Sequence, residues 1–476
     1  MKGSHQSSAT PKVVVVAEFY PRQGDSVLGV WAHRQALAAR DAGAEVRVLV
    51  LHRLIPPRAS FAAGPGGAVR ALAGLVREPR KQTRDGLEIS YVSYISPPRS
   101  GSYANWGAWA APALGLALRR LHRSFKFELV HAHNAVPAGD AARRALASLR
   151  SVDVPLVVSV HGGDVLYTAA PPPTGSAAGA AAVARGLGAA RLVLANSRGI
   201  AELARAHGAG ETRVVHLGTD LPAAAHPSRR AGIAAGAGIS GGAGIAGVAG
   251  IAAGAGIGVG SGIAGGPVIG AGPGTGGGPG AGRLGGRAIR IGGPPGPSIV
   301  TVAHLVARKR HADVLRALAV LSQRHPTLRY EIVGEGPERV ALEGLAVRLG
   351  VAERVQFHGQ LAPAEAIEQA RRCTLFVMPS TEEAFGVAYI EAMAGGLPAI
   401  GCRGEPGPEE IAAAGDGFML VPPGDIERLT QRIDELLSDT HRLREASQRA
   451  RATVAANFTW ERCGEQTLAA YEHALR

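Results

Sequence analysis

Residues 373–425 read CTLFVMPSTEEAFGVAYIEAMAGGLPAIGCRGEPGPEEIAAAGDGFMLVPPGD, and the succession of patterns in this stretch decides the fold class. The apolar run 375–378 is expected to be a buried strand of a parallel sheet, because strands covered on both faces are apolar throughout. A polar loop, 379–384, follows it. From about 385 to 394 the pattern is helical, and Gly395, Gly396 and Pro398 close it. Further short strands are expected at 399–400 and 418–421, around a loop rich in Gly, Pro and Glu. Two glutamates flank the join, Glu383 in the loop and Glu391 in the helix, with seven residues between them.

A loop and helix start after a parallel strand lie at the strand's carboxyl end, where open α/β sheets bind ligands. First-turn amides near Gly386, Val387 and Ala388 have no partner within the helix, so with the helix dipole they form a seat for a phosphate. A carboxylate just before that seat suits a ligand that also carries hydroxyls. Glu383 is therefore expected to accept hydrogen bonds from a sugar, and Glu391 to take the two hydroxyls of a ribose.

Strands and helices alternate outward from this segment. In the first half, 13–17, 46–51, 128–132, 156–160, 192–195 and 214–217 read as strands, with the first helix at 29–42. The second half repeats the theme with strands at 299–303, 330–333 and 355–357 and helices at 311–325 and 337–349. This alternation argues for an α/β chain with two doubly wound parallel sheets. Two such units leave a cleft between them, the usual place for a ligand.

The intervening stretch is mostly glycine and alanine, carries no charge over 231–282, and repeats isoleucine every six residues (Ile233, Ile239 and on to Ile269). Its glycine content makes ordering costly, so a flexible low-complexity linker is the expected state. A short β-helix, whose coils also repeat in hexads, stays open. A membrane helix is disfavoured because each glycine costs a helix about 1 kcal/mol relative to alanine.

Bulk properties narrow the function class. The chain has 476 residues, enough for two domains, and a formal net charge of +13. The cations are mostly arginine, alongside inflated Ala, Gly and Pro, as a GC-rich coding sequence would give. Aromatics are 4% of the chain, without runs that interleave them with bases, so nucleic acid is not an expected partner. Cys373, Cys402 and Cys463 form no paired spacing, which suits a reducing cytoplasm. The first residues, MKGSHQSSATPK, are polar, and the apolar run after them is too short for a leader or a span.

The glutamate segment resembles the donor-site signature of family-4 (group 1) retaining glycosyltransferases of the GT-B fold. Glu383, Phe385, Gly386, Glu391, Ala392, Met393, Ala394, Gly396 and Pro398 match that pattern, and Ala384 replaces its usual glycine. The resemblance implies two Rossmann-like domains facing a cleft, a nucleotide-diphosphate-sugar as substrate, and no metal or other cofactor. It implies further that Lys309 and Arg308, in TVAHLVARKRHADVL, grip the donor diphosphate, with His304 standing where the family has an arginine. Fixed cations there stabilise the charge that develops on a leaving diphosphate. Gly334 and Gly336 of the GEGP loop resemble the family's glycine-rich loop near the nucleotide, and 355–361 the piece that frames the base.

In the first half, Gly24 and Gly29 sit at a helix entry where backbone approaches phosphate, Gly29 being the match carried forward. His161, in SVHGGD, resembles the family histidine that contacts the transferred sugar. His131 and His133, in HAHN, are expected to alternate across their strand, so that at most one faces the cleft. Glu405 and Glu409 are alternative hydroxyl acceptors in a loop expected to close over sugar and phosphate.

The expected organisation is a disordered N-terminus (1–11), an acceptor-side domain (12–221), a linker (222–297), a nucleotide-binding domain (298–452) and a helix crossing back (453–476). Glycan or lipid-linked acceptors are implied, as in polysaccharide or glycolipid synthesis. Trp106, Trp109, Arg119, Arg120, Arg123 and Lys126 surround one helix pattern that would suit a peripheral contact with the inner membrane face, and a packed amphipathic helix explains it equally. Two readings remain beside the transferase: another enzyme of this fold, such as a nucleotide-sugar epimerase, or a non-catalytic nucleotide-sugar-binding relative.

Overall fold

The computed structural model describes residues 10–22, 27–55, 60, 64–77, 80–97, 103–149, 153–168, 176–222 and 296–476. The expectations for Gly24, for residues 1–9 and for the glycine- and alanine-rich linker over 223–295 lie outside the described residues. Within them stand two parallel sheets, as the alternation predicts.

The first sheet is built from β1 (Lys12–Ala17), β2 (Glu45–Arg53), β3 (Lys81–Arg84), β4 (Leu87–Tyr94), β5 (Leu129–His133), β6 (Leu156–Val160), β7 (Leu192–Ala195) and β8 (Thr212–Val214). Their spatial order is β3-β4-β2-β1-β5-β6-β7-β8, parallel except for the β3–β4 hairpin. The second sheet holds β9 (Ser298–Val302), β10 (Arg329–Val333), β11 (Val355–Gly359), β12 (Leu375–Val377), β13 (Ala399–Cys402) and β14 (Phe418–Val421). It runs β11-β10-β9-β12-β13-β14, parallel throughout.

The valine run of β1 shows why these strands carry no polar face. Val14 and Val16 enter one core and Val13 and Val15 another, and all four are fully buried. Period-two geometry sends neighbours to opposite faces, and here helices cover both. Each such burial stabilises by about 1.5–3 kcal/mol. In the second sheet Phe376 packs on one face of β12 and Leu375 and Val377 on the other.

Both sheets reverse their strand order beside the first strand of the unit. In the first sheet the switch lies between β1 and β5, in the second between β9 and β12. Loops leaving neighbouring strands there diverge and open a crevice at the carboxyl ends. The crevices of the two units face one another. The connection back to the first unit is made by Thr219, whose amide donates to the Phe458 carbonyl at 2.9 Å. Helix Trp460–Ala474 then packs Cys463, Ala470 and Tyr471 into the core under β1.

Gly29 shapes the first crevice. It precedes helix Val30–Asp41 with φ +65°, and a Cβ there would lie 2.1 Å from the Phe19 carbonyl carbon. Gly29→Ala thus combines backbone strain with a main-chain clash. Its expected cost is about 3 kcal/mol, read as a lower urea midpoint than wild type.

Candidate active site in the interdomain cleft

A cavity lies between the units and is walled by loops from both. Phe19, Val30 and Trp31 come from the β1 crossover, Asn134 and Val136 from the loop after β5, and Asn196 from the end of β7. His161 to Asp164 follow β6 and line it as well. The second unit contributes Arg308 and the loop from Glu382 to Val387. Of the sequence-predicted residues, Glu383, His161, Arg308, Phe385, Gly386 and Val387 meet here.

Lys309 lies just beneath. It is 4% exposed, and its Nζ pairs with Glu383 Oε2, while an Arg308 guanidinium nitrogen stands 3.9 Å from the same oxygen. Ser380 Oγ donates to that oxygen at 3.1 Å, and the Glu383 amide donates to Glu405 at 2.9 Å. Burial pushes the Glu383 carboxyl up. The charges of Lys309 and Arg308, with hydrogen bonds from Lys309 and Ser380, outweigh that and hold it below the usual carboxylate range. Glu383 is a carboxylate at neutral pH. Burial also pulls the Lys309 ammonium below its usual range, against the attraction of Glu383.

Gly386 caps helix Val387–Ala394 in the left-handed region, with φ +86°. The helix therefore begins two residues later than the apolar pattern suggests, and its free first-turn amides fall at the cavity wall.

The other candidates are placed differently. Gly334 and Gly336 do not line the cavity; Cβ atoms there would lie 2.0 Å and 2.4 Å from the carbonyl oxygens of Ala303 and Leu305. They let the loop after β10 lie flat against the loop that carries Lys309. His304 is exposed and outside the cavity wall. Ala388 is buried in the helix, and Gly29 sits behind Phe19.

Glu391 faces a separate small cavity with Val302, Ala366 and Phe376. Burial first, and then the Asp220 carboxylate, push its pKa well above the carboxylate range, against the pull of Arg34 and Arg371. The glutamates thus occupy unlike environments, one an ionised wall residue and the other buried on the face toward helix Pro363–Arg371.

His131 and His133 correct the sequence expectation. Residues two apart in a strand share a face, and their rings stand 4.5 Å apart, centroid to centroid. His131 is held by Tyr471 Oη at 2.8 Å and Ser159 Oγ at 2.7 Å. His133 Nδ1 meets His161 Nε2 at 2.9 Å. Burial drives the His161 pKa down to about 3, so its ring is neutral at physiological pH. Among the described residues no group of three or more His, Cys, Asp or Glu is arranged to hold a metal ion.

Sequence reasoning missed Asn134, Asp164 and Asn196. Burial raises Asp164 to about 6, against hydrogen bonds from the Ala135 amide and the Tyr103 hydroxyl, which tie down the loop after β5. Asn196 comes directly after the expected strand 192–195 and Asn134 two residues after the expected strand 128–132, but position alone does not tell which strand ends face the cavity.

Several contacts tie the loops across the cleft. Glu410 accepts from the Arg198 amide at 2.9 Å and pairs with His216 at 2.8 Å. Ser197 Oγ donates to the Ala384 carbonyl at 3.0 Å, and Tyr167 Oη to the Glu382 carbonyl at 3.1 Å.

Comparison with known proteins joins this geometry to a family. One family model, glycosyltransferase family 4, matches residues 28–222, and another, glycosyl transferases group 1, matches 294–453. The chain belongs to the family-4, group-1 glycosyltransferases. It is 34% identical over 157 residues to an exopolysaccharide phosphotransferase of Streptomyces coelicolor, covering 33% of this chain and 16% of that protein. It is 30% identical over 175 residues to a GDP-mannose-dependent phosphatidylinositol monomannoside mannosyltransferase of Mycolicibacterium smegmatis, covering 35% and 46%. The chain spans less than half the length of these curated relatives. The fold matches that of Anabaena HepE in complex with UDP and glucose, at a TM-score of 0.61 and 18% identity over 96% of this chain and 99% of that one. That is the GT-B architecture.

In this family member the buried ion pair sets a stability test. Lys309→Ala leaves the Glu383 carboxylate without its nearest cation and is expected to cost about 3–5 kcal/mol in urea unfolding at pH 7. A double replacement, Lys309→Met with Glu383→Leu, should lose clearly less. Since the Glu383 pKa is depressed, its contribution is full above the unfolded value of about 4.3. It is lost as pH falls through the folded pKa, so wild type and Glu383→Gln should converge in stability in acid.

Proposed function

We propose that the protein is a retaining glycosyltransferase that moves a sugar from a nucleotide-diphosphate donor to an acceptor hydroxyl in cell-surface polysaccharide or glycolipid synthesis. The observation that carries this reading is the Glu383 carboxylate, set between the cations of Lys309 and Arg308 and the free amides at Gly386. Cations and amides suit the diphosphate, and the carboxylate suits the sugar hydroxyls beside it.

The sugar C1–oxygen bond to the diphosphate breaks, and its electron pair leaves with the phosphate. The acceptor oxygen forms its bond to C1 on the same face, and its proton passes to a donor phosphate oxygen. Arg308, which lines the cavity, supplies the guanidinium that His304 does not. His161 touches the sugar from the opposite wall, and Glu391 serves the ribose. Residues 298–452 hold the nucleotide and 12–221 the acceptor. Support for the donor class comes from the GDP-mannose dependence of the mycobacterial relative and the UDP bound in the Anabaena structure.

A lipid-linked acceptor fits helix Trp106–Phe125. Its exposed Trp109 and Leu116 stand near exposed Arg119, Arg120 and Arg123, whereas Trp106 is buried. No helix of the described residues is long and apolar enough to cross a membrane.

A thermal-shift screen against UDP, GDP, ADP, CDP and dTDP should show a rise with one base. No rise with any would sink the donor reading. Glu391→Ala should weaken nucleotide binding, while Glu383→Ala should mainly slow transfer; equal nucleotide affinity in wild type and Glu391→Ala would remove the ribose role. Sedimentation with phosphatidylglycerol vesicles should exceed that with phosphatidylcholine vesicles. At about 1 kcal/mol per basic residue, an Arg119→Glu, Arg120→Glu variant should lose about tenfold or more of that binding.

A further inference from the structure

Two imidazoles stand parallel at the cleft wall, His133 behind His161, with ring planes 2° apart. One hydrogen bond joins them, from His133 Nδ1 to His161 Nε2 or the reverse, at 2.9 Å. Their other nitrogens, His133 Nε2 and His161 Nδ1, are buried without a partner. Burial lowers both pKa values far below the usual range, so each ring carries a single proton. The shared hydrogen bond then leaves two arrangements. If His161 donates, the second proton sits on His133 Nε2, in a residue only 2% exposed. If His133 donates, that proton sits on His161 Nδ1, in a residue that borders the cavity.

An orphaned buried N–H costs more than a bare ring lone pair, and the cost is recovered where a ligand can reach the donor. Both outer nitrogens are covered in the free protein. His133 Nε2 lies behind the wall, whereas His161 Nδ1 belongs to a ring that borders the cavity, where a ligand oxygen meets it after a small ring movement. We infer that His133 is a positioning residue: its Nδ1–H donates to His161 Nε2, holds the ring in place and fixes His161 as the Nδ1–H tautomer. His161 thereby offers the cleft a hydrogen-bond donor, suited to an oxygen of the bound sugar, and no basic nitrogen. A general-base role for His161 is excluded by the same proton count, because its only lone pair is spent on His133.

The support reaches further back. His131 lies behind His133, its ring tilted by 36°, and is pinned by Ser159 of β6 and by Tyr471 of helix Trp460–Ala474. The wall ring is thus set by a chain of contacts that begins on the helix crossing from the other unit.

The inference rests on the transferase reading for its ligand, and its first test does not. Long-range proton–nitrogen correlation spectra of the full chain with 15N-labelled histidine report the tautomer directly. The His161 signals are identified by their loss in His161→Gln. His161 is expected to show a protonated Nδ1 and an unprotonated Nε2 from pH 6 to 8. A protonated Nε2, or a doubly protonated ring in that range, overturns the assignment. In donor turnover, His133→Leu should lower kcat roughly tenfold with the donor KM changed less than twofold. His133→Asn, which keeps a donor near the Nδ1 position, should restore most of it. Equal losses in both variants, with unchanged melting, would overturn the positioning role. An expected tautomer without any sugar transfer would leave the histidine pair standing and remove the transferase reading.

Discussion

A lysine and a glutamate, 74 residues apart in sequence and almost wholly withdrawn from water, hold the second unit's crevice in shape. Lys309 follows β9 and Glu383 follows β12, the two neighbouring strands at which the sheet reverses its order. Loops diverge at such a point, and an ionic contact across it fixes their spacing. Withdrawing both charges carries a desolvation penalty of several kcal/mol per ion, which their attraction offsets only in good geometry. The surroundings supply that geometry. Ser380 donates to Glu383, Arg308 adds a second positive charge, and the GEGP loop braces the Lys309 loop from behind.

The cleft exists because this crevice meets its counterpart from the first sheet. Glu410 caps the first amide of helix Arg198–Ala206 and pairs with His216, so one carboxylate ties two segments of the opposite unit. His216 in turn lies against Phe385 and Phe458, with ring centroids 6.0 Å and 5.2 Å away. The contact is therefore polar at its edge and aromatic within. Tyr471, from the helix that crosses back, reaches His131 in the row of histidines behind the wall. Chain crossing and cleft chemistry are physically continuous here.

Much of the fold was legible because buried parallel strands write themselves as short apolar runs. The strands at β1, β5, β6, β7, β10, β12 and β14 fall where those runs stand. The hairpin of β3 and β4 was not foreseen. Its KQTR and LEISYVSY segments are half-exposed and mixed in polarity, so no continuous apolar run marks them. At the site, Glu383, Arg308 and His161 could be found from local pattern and family resemblance. Asn134, Asp164 and Asn196 could not, since a single polar residue after a strand carries no signal until the sheet order says which strand ends face the cavity.

The sequence by itself determined the two α/β units, the glycine at the start of helix Val387–Ala394 and the charged side chains flanking that join. These depend on periodicity and backbone preference, which act within a few residues. The tertiary structure alone decided that Glu383 is paired with Lys309, that Glu391 lies outside the cavity that holds Glu383, and that three histidines, two from β5 and one from the end of β6, form one chain of contacts. Those outcomes depend on which strands are neighbours and on how fully water is excluded between them. Neither quantity exists until the sheets have formed and closed on each other.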